Sequence, residues 1–322
     1  MSEATSVLHG GTVALEEVAA KTICDLPDRI GEEVLFSSGR AVLSGSVLLP
    51  KARPPHPAVV MVEGSGSYSY RRHWGHDVFP FWKLIAEEML RFGFAVLLFD
   101  KPGVGKSTGN WRRQSFVDRS DDVLAAIAFL KSRPDIDGRV IGVVGHSQGG
   151  WIAQLAAARG RDAVSFLISL AGPAVTVKEQ IMDDARGEWI CKGSSKASIA
   201  LRSIGWRIGL GLLSMVALFV KPFYLARIIS YDPKDALTYI TQPMLAIFGE
   251  NDRLVPPENN VRRLKSYFGS ISGNDRLVIV TVPSANHGFC KANSCSDGDE
   301  TELRFADGFI EALNGWCVAR RR

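Results

Sequence analysis

Six short, nearly uninterrupted apolar runs punctuate the chain, at residues 58–62, 94–99, 140–144, 164–170, 244–248 and 277–282. Continuous rather than alternating hydrophobicity is the mark of parallel strands buried on both faces. Ahead of them, residues 33–36 and 41–49 flank Ser37-Ser38-Gly39-Arg40 and predict an antiparallel hairpin. Between the runs, residues 81–91, 118–132, 261–268 and 302–313 carry apolar positions at helical spacing. In the second of these, Val123, Ile127 and Leu130 share a face, acids occupy the first turns, where they complement the helix dipole, and Pro134 ends the element. Strands alternating with helices predict an α/β fold: a mostly parallel, doubly wound sheet with helices on both faces and an antiparallel hairpin at its N-terminal edge.

One interval breaks the rhythm. Residues 174–235 separate two strands by far more than a crossover needs, and their pattern is helical and apolar. This divides the chain into a lead-in at 1–32, a core at 33–173 and 236–322, and a helical cap or lid insertion at 174–235. Within the insertion, residues 208–220 contain no charge and are bounded by Arg207 and Lys221. A helix rises about 1.5 Å per residue, so this uncharged stretch falls short of a bilayer core of about 30 Å. The expectation is a buried cap helix without a stable membrane span, with surface contact through the cap left open.

Composition adds bounds. At 322 residues and 46% hydrophobic, the chain is long enough for one large domain. Lys+Arg 38 against Asp+Glu 34 is close to balance, which gives no reason to expect nucleic acid as a partner. The five cysteines, Cys24, Cys191, Cys290, Cys295 and Cys317, are odd in number and lack a Cys-x-x-Cys pair. That favours reduced thiols and a cytoplasmic protein. The first residues lack a basic segment followed by an apolar one, so no signal peptide is expected.

The chemistry concentrates where strands end. Gly145-His146-Ser147-Gln148-Gly149 follows the third of the apolar runs and opens an alanine-rich helix. A serine on such a sharp strand-to-helix turn is exposed for attack on a carbonyl, and its small neighbours give the turn room. The bland alternative is a serine that caps the helix. Two later strands end in partners for it, Asp252 after 244–248 and His287 after 277–282. Parallel strands bring all three loops to one sheet edge. Serine needs a base to become a nucleophile; imidazole, which titrates near neutrality, suits that role, and a carboxylate orients the imidazole. Glu250 and Asp235 are rival acids, but Asp252 lies deeper in its turn. An oxyanion needs backbone N–H donors, for which Gln148 and Ser65 are the candidates. Glu63, Tyr68, Trp74 and His146 are candidates for lining the substrate pocket. His73 and His76 fit a structural or lining role, as do Tyr70 and Trp82.

These stretches resemble the α/β-hydrolase superfamily over residues 33–315, and within it bacterial serine esterases of the dienelactone-hydrolase and prolyl-oligopeptidase-like branch. Glu63-Gly64-Ser65-Gly66 is similar to that branch's H-G-S-G oxyanion loop. Asp100-Lys101-Pro102-Gly103-Val104-Gly105-Lys106-Ser107 is similar to its D-x-x-G-x-G-x-S turn. Residues 132–150 are similar to its helix–strand–elbow. The resemblance implies a Ser-His-Asp acyl hydrolase that uses no metal or organic cofactor. Glu63 stands where the branch usually has histidine. Gly105-Lys106-Ser107 also looks like the end of a phosphate-binding loop, but Asp100 occupies the position of the required first glycine. Gly205 and Gly209 form a G-x-x-x-G around Arg207, better suited to packing or a hinge than to membrane dimerisation. The expectation is a hydrolase of small esters with an apolar part. An amidase, peptidase or thioesterase on the same residues is one alternative, and a non-catalytic scaffold that binds a ligand or partner is another.

Overall fold

The computed structural model describes residues 30–75, 78–221, 223–268, 276–293, 295 and 304–320. Residues 1–29 of the expected lead-in, and His76, lie outside them; Glu32, the last residue assigned to the lead-in, opens the first strand. Eight strands form one sheet: β1 (Glu32–Ser38), β2 (Ala41–Leu48), β3 (His56–Val62), β4 (Ala95–Phe99), β5 (Ile136–His146), β6 (Phe166–Leu170), β7 (Met244–Gly249) and β8 (Leu277–Val282), in the order β1-β2-β4-β3-β5-β6-β7-β8. β1 pairs antiparallel with β2 and β2 antiparallel with β4; every later pairing is parallel. The hairpin turns at Gly39, whose φ of 54° is one that glycine adopts freely.

The apolar runs are continuous because successive residues feed two cores. Val60, Val62, Leu97 and Val143 point to one face, where they meet α2 (Phe116–Lys131) and α3 (Gln148–Gly160). Val59, Met61, Val96 and Val144 point to the other, against α1 (Phe81–Arg91) and α9 (Phe309–Val318). α2 starts where its sequence supplies a reciprocal cap: Ser115 Oγ accepts from the Asp118 amide, and Asp118 accepts from the Ser115 amide at 2.7 Å. α9 begins later than its periodicity suggests. Phe305 bridges to Cys290, and Gly308 at φ 90° precedes the first turn.

Between β6 and β7 the chain forms α4 (Val177–Cys191), α5 (Lys196–Ala217), α6 (Tyr224–Ile228) and α7 (Lys234–Tyr239), followed after β7 by α8 (Pro257–Phe268). α4 is capped as α2 is, by Thr176 and Glu179. α5 differs from the buried cap helix expected. Only Ser203, Leu210 and Ala217 are buried, a single narrow stripe at seven-residue spacing. Gly205 and Gly209 meet nothing: a Cβ built at either has no neighbour within 4 Å.

The cysteines also depart from expectation. Cys191, at the end of α4, is disulfide-bonded to Cys295 across 104 residues of sequence. Cys290, five residues from Cys295 in sequence, is free, as is buried Cys317. Sequence spacing did not reveal the pair, because the fold rather than the local chain brings the two Cα atoms to 5.3 Å. The disulfide also removes the support that reduced thiols lent to a cytoplasmic location. Non-reducing peptide mapping should recover the peptides containing residues 191 and 295 joined. Cys191→Ser should lower unfolding free energy by about 2–4 kcal/mol, measured by urea titration.

Candidate active site

The site is built at the carboxyl ends of β3, β5, β7 and β8. Ser147 follows β5 with φ 56° and ψ −127°, a region that a non-glycine residue occupies only under constraint. Its neighbours impose the constraint. The Ser147 amide donates to Leu170 O at 2.9 Å, and the Gly150 amide donates back to Ser147 O at 2.8 Å. Gly149 lies so close to the end of β3 that a Cβ there would sit 2.1 Å from Val62 O, and one at Gly145 would sit 2.3 Å from Gly149 O. Ser147 makes no side-chain cap to α3, so the hydroxyl is not used as a helix cap.

Asp252 and His287 meet. His287 Nδ1 donates to Asp252 Oδ2 at 2.8 Å, while Asp252 Oδ1 accepts from the Val255 amide at 2.8 Å. Asp252 is buried and held from both sides, and the Nδ1–H tautomer leaves His287 Nε2 with its lone pair. The rival acids are elsewhere. Glu250 accepts from the Ser284 amide at 2.8 Å, and Asp235 lies in the first turn of α7. His146 is half-buried beside His287, with its ring 4.8 Å from the His287 ring and its Nε2 3.0 Å from His287 O. A carbonyl only accepts, so His146 carries its proton on Nε2. Burial first, and the neighbouring His287 second, push its pKa down to about 3, which keeps it neutral.

A cavity of about 360 Å³ includes Ser147, Gln148 and Ser65 in its wall. The rest of the wall is largely apolar, with Trp111, Trp151, Tyr224, Leu225 and Ile228 prominent, and with Asp184 and Gln180 among its polar members. Burial pushes the Asp184 carboxyl up, opposed by Arg253. The four residues expected to line the pocket lie outside this wall. Glu63 pairs with His73, Oε1 to Nε2 at 3.5 Å. Tyr68 is overlaid by Arg72. Trp74 packs edge-on to Tyr70, and His146 lies beside His287. Proximity in sequence to the loops at β3 and β5 suggested these residues, but much of the wall comes from helices between β6 and β7, whose docking a local reading does not reach.

Two further residues went unassigned in the sequence. Lys101 Nζ donates to Gly64 O and Gly66 O, both at 2.8 Å, clasping the loop that carries Ser65. Burial lowers its pKa to about 8, with Arg119 adding to the effect. Tyr224 donates its hydroxyl to Gln148 Oε1 at 2.9 Å, tying α6 to the residue after Ser147. The turn at Asp100 braces the same region. Asp100 accepts from Ser69 Oγ at 2.9 Å and from the Tyr70 amide at 3.0 Å, and Ser107 Oγ donates to Asp100 O at 2.7 Å. A Cβ at Gly105 would stand 2.0 Å from Asp100 Oδ2. The glycine motif therefore makes room for a carboxylate.

The order of strands, the elbow and the helices on both faces are those of one fold. The chain has the α/β-hydrolase fold. A family model described as serine aminopeptidase, S33 matches residues 54–202 of this chain. Esterase EstD of Thermotoga maritima is 27% identical over 272 residues, covering 84% of this chain; the chain spans 64% of that protein's length. Among solved structures, ferulic acid-bound Est1E of Butyrivibrio proteoclasticus aligns at TM-score 0.56 and 19% identity, over 89% of this chain and 96% of that one. A dienelactone hydrolase of Anabaena variabilis aligns at TM-score 0.54 and 18% identity, over 90% and 97%. These structural likenesses establish the fold.

Two outcomes follow from this geometry. Gly149→Ala should destabilise it by about 2–3 kcal/mol in urea unfolding, because the new methyl meets backbone that cannot swing aside. Burial pushes Asp100 from 3.8 up to about 6, so the folded state holds the extra proton between those values. Stability contributed by this group is then present near pH 4 and lost as pH rises through 6. The gap corresponds to roughly 3 kcal/mol. Asp100→Asn should flatten that fall in a series of urea titrations from pH 4 to pH 7.

Proposed function

We propose that the chain is a serine hydrolase of carboxylic esters, working through an acyl-enzyme on Ser147. The observation that carries the reading is Ser147 held at positive φ, free of a capping bond, in the wall of a mostly apolar cavity, while its chain neighbour His146 contacts the carbonyl of His287, the partner of Asp252. The esterase name of the Thermotoga maritima relative supports the choice of bond. His287 Nε2 takes the Ser147 proton as Oγ attacks the ester carbonyl. The oxyanion is received by the amides of Gln148 and Ser65, each worth a few kcal/mol in the transition state. Asp252 stabilises the imidazolium, which returns the proton to the departing alcohol. Water then repeats the sequence on the acyl group and restores Ser147. The insertion at 174–235 acts as a cap: Tyr224, Leu225 and Ile228 favour an ester with an apolar part.

The description of the matching family model favours a second reading, an amidase or peptidase on the same residues. A panel of matched ester, thioester and amide substrates separates them by relative kcat/KM. On p-nitrophenyl esters of short and medium acyl chains, Ser147→Ala should reduce kcat/KM by at least about 10⁴-fold. Asp252→Asn should reduce it by about 10³–10⁴-fold. Equal rates for wild type and Ser147→Ala would refute the acyl-enzyme.

A further inference from the structure

α5 is the one helix among the described residues long and apolar enough to cross a membrane, and only 11% of its most apolar stretch is buried. Its outward face is organised. Leu201, Ile204, Ile208, Leu212 and Met215 follow one another at steps of three or four, Phe219 continues the spacing just past the helix end, and all are exposed, Phe219 at 87%. They form one stripe opposite the buried Ser203, Leu210 and Ala217. Arg202 is one residue after Leu201, and Arg207 one before Ile208. At about 100° per residue they project to opposite flanks of the stripe. A contiguous apolar patch of this kind, rimmed by charge, is a binding surface.

The charge says what kind. Residues 189–231 contain Lys192, Lys196, Arg202, Arg207, Lys221 and Arg227, and no acidic residue, in a chain that is otherwise nearly balanced. A cleft just beyond the C-terminal end of the helix adds Arg112 and Arg113 to Lys221 and Arg227, and its lining includes no carboxylate. A second copy of the chain docking through the same face would set these cations against one another. An anionic lipid surface meets them with opposite charge and accepts the apolar stripe. Arg202 and Arg207 sit within the helix, and both ends return to the hydrolase body through α4 and α6, so the helix lies along the surface instead of spanning it.

We propose that α5 is an interfacial helix that docks the protein on anionic phospholipid membranes. Its apolar stripe enters the acyl boundary, and the flanking cations engage headgroup phosphates. α6 follows directly and supplies Tyr224, Leu225 and Ile228 to the cavity beside Ser147, so docking brings that cavity to the lipid surface. This surface is separate from the chemistry proposed for Ser147, and the test below reads binding without hydrolysis.

Purified protein is sedimented with phosphatidylcholine vesicles, with or without phosphatidylglycerol. The expected result is binding at least about tenfold tighter to the anionic vesicles, weakened severalfold by high salt. Leu212→Glu/Phe219→Glu should lose about tenfold or more of the binding while keeping the wild-type melting temperature, and Ser147→Ala should bind as wild type does. Three results would overturn the proposal. One is equal partition of wild type and Leu212→Glu/Phe219→Glu, or none. Another is attachment that resists alkaline carbonate extraction, which marks a spanning helix. The third is a dimer in sedimentation velocity that the double variant abolishes, without vesicle binding.

Discussion

The approach of α3 to the end of β3 is the constraint on which the site depends. Gly149 stands against the Val62 carbonyl with no space for a methyl group, and Gly145 stands equally close to Gly149. The chain can leave β5 and enter α3 in so little room only by passing through a left-handed residue, and that residue is Ser147. Strain, exposure of the hydroxyl and the seating of Gln148 at the first turn of α3 are consequences of one packing contact. The sheet supplies the stability that holds it, since β3, β5 and β6 are buried on both faces.

Around this contact the fold gathers charges that a core of this kind would ordinarily exclude. Asp100 and Lys101 are both almost fully buried, one with its pKa raised and the other lowered by the same loss of solvent. Each is answered by local partners: Asp100 by Ser69 and the Tyr70 amide, Lys101 by two carbonyls of the loop after β3. A loop with three small residues in a row would otherwise have many conformations. Lys101 holds its two glycine carbonyls and Asp100 holds the chain at Ser69 and Tyr70, which is a reason for the fold to bear their desolvation.

Local chemistry was the legible part of this chain. The two-faced strands announce themselves as apolar runs, the caps of α2 and α4 lie within four residues, and the elbow is a pentapeptide. Asp252 and His287 could be named because each ends a strand, and parallel strands deliver their ends to one edge. The cavity wall was not legible in this way. Glu63, Tyr68, Trp74 and His146 are near the elbow or the loop after β3, whereas Trp111, Tyr224 and Ile228 reach the cavity through the docking of separate elements. The Cys191–Cys295 bond is of the same kind: 104 residues of intervening chain are brought together by tertiary structure, and spacing carries no trace of it.

That disulfide also bears on how the helical insertion is held. It fastens the end of α4 to the segment that follows His287, while Tyr224 fastens α6 to Gln148. The insertion is therefore anchored at its two ends to both sides of the site. α5, between those anchors, buries Ser203, Leu210 and Ala217 and packs a half-buried Leu213 against the core. Folding alone does not call for the apolar residues on its other side: a helix anchored at both ends keeps its place with a polar outer face, at lower cost in exposed hydrocarbon. The hydrophobicity of α5 thus belongs to what the surface meets and not to what the core requires, whereas that of β3, β5 and β6 is accounted for by the two cores they fill.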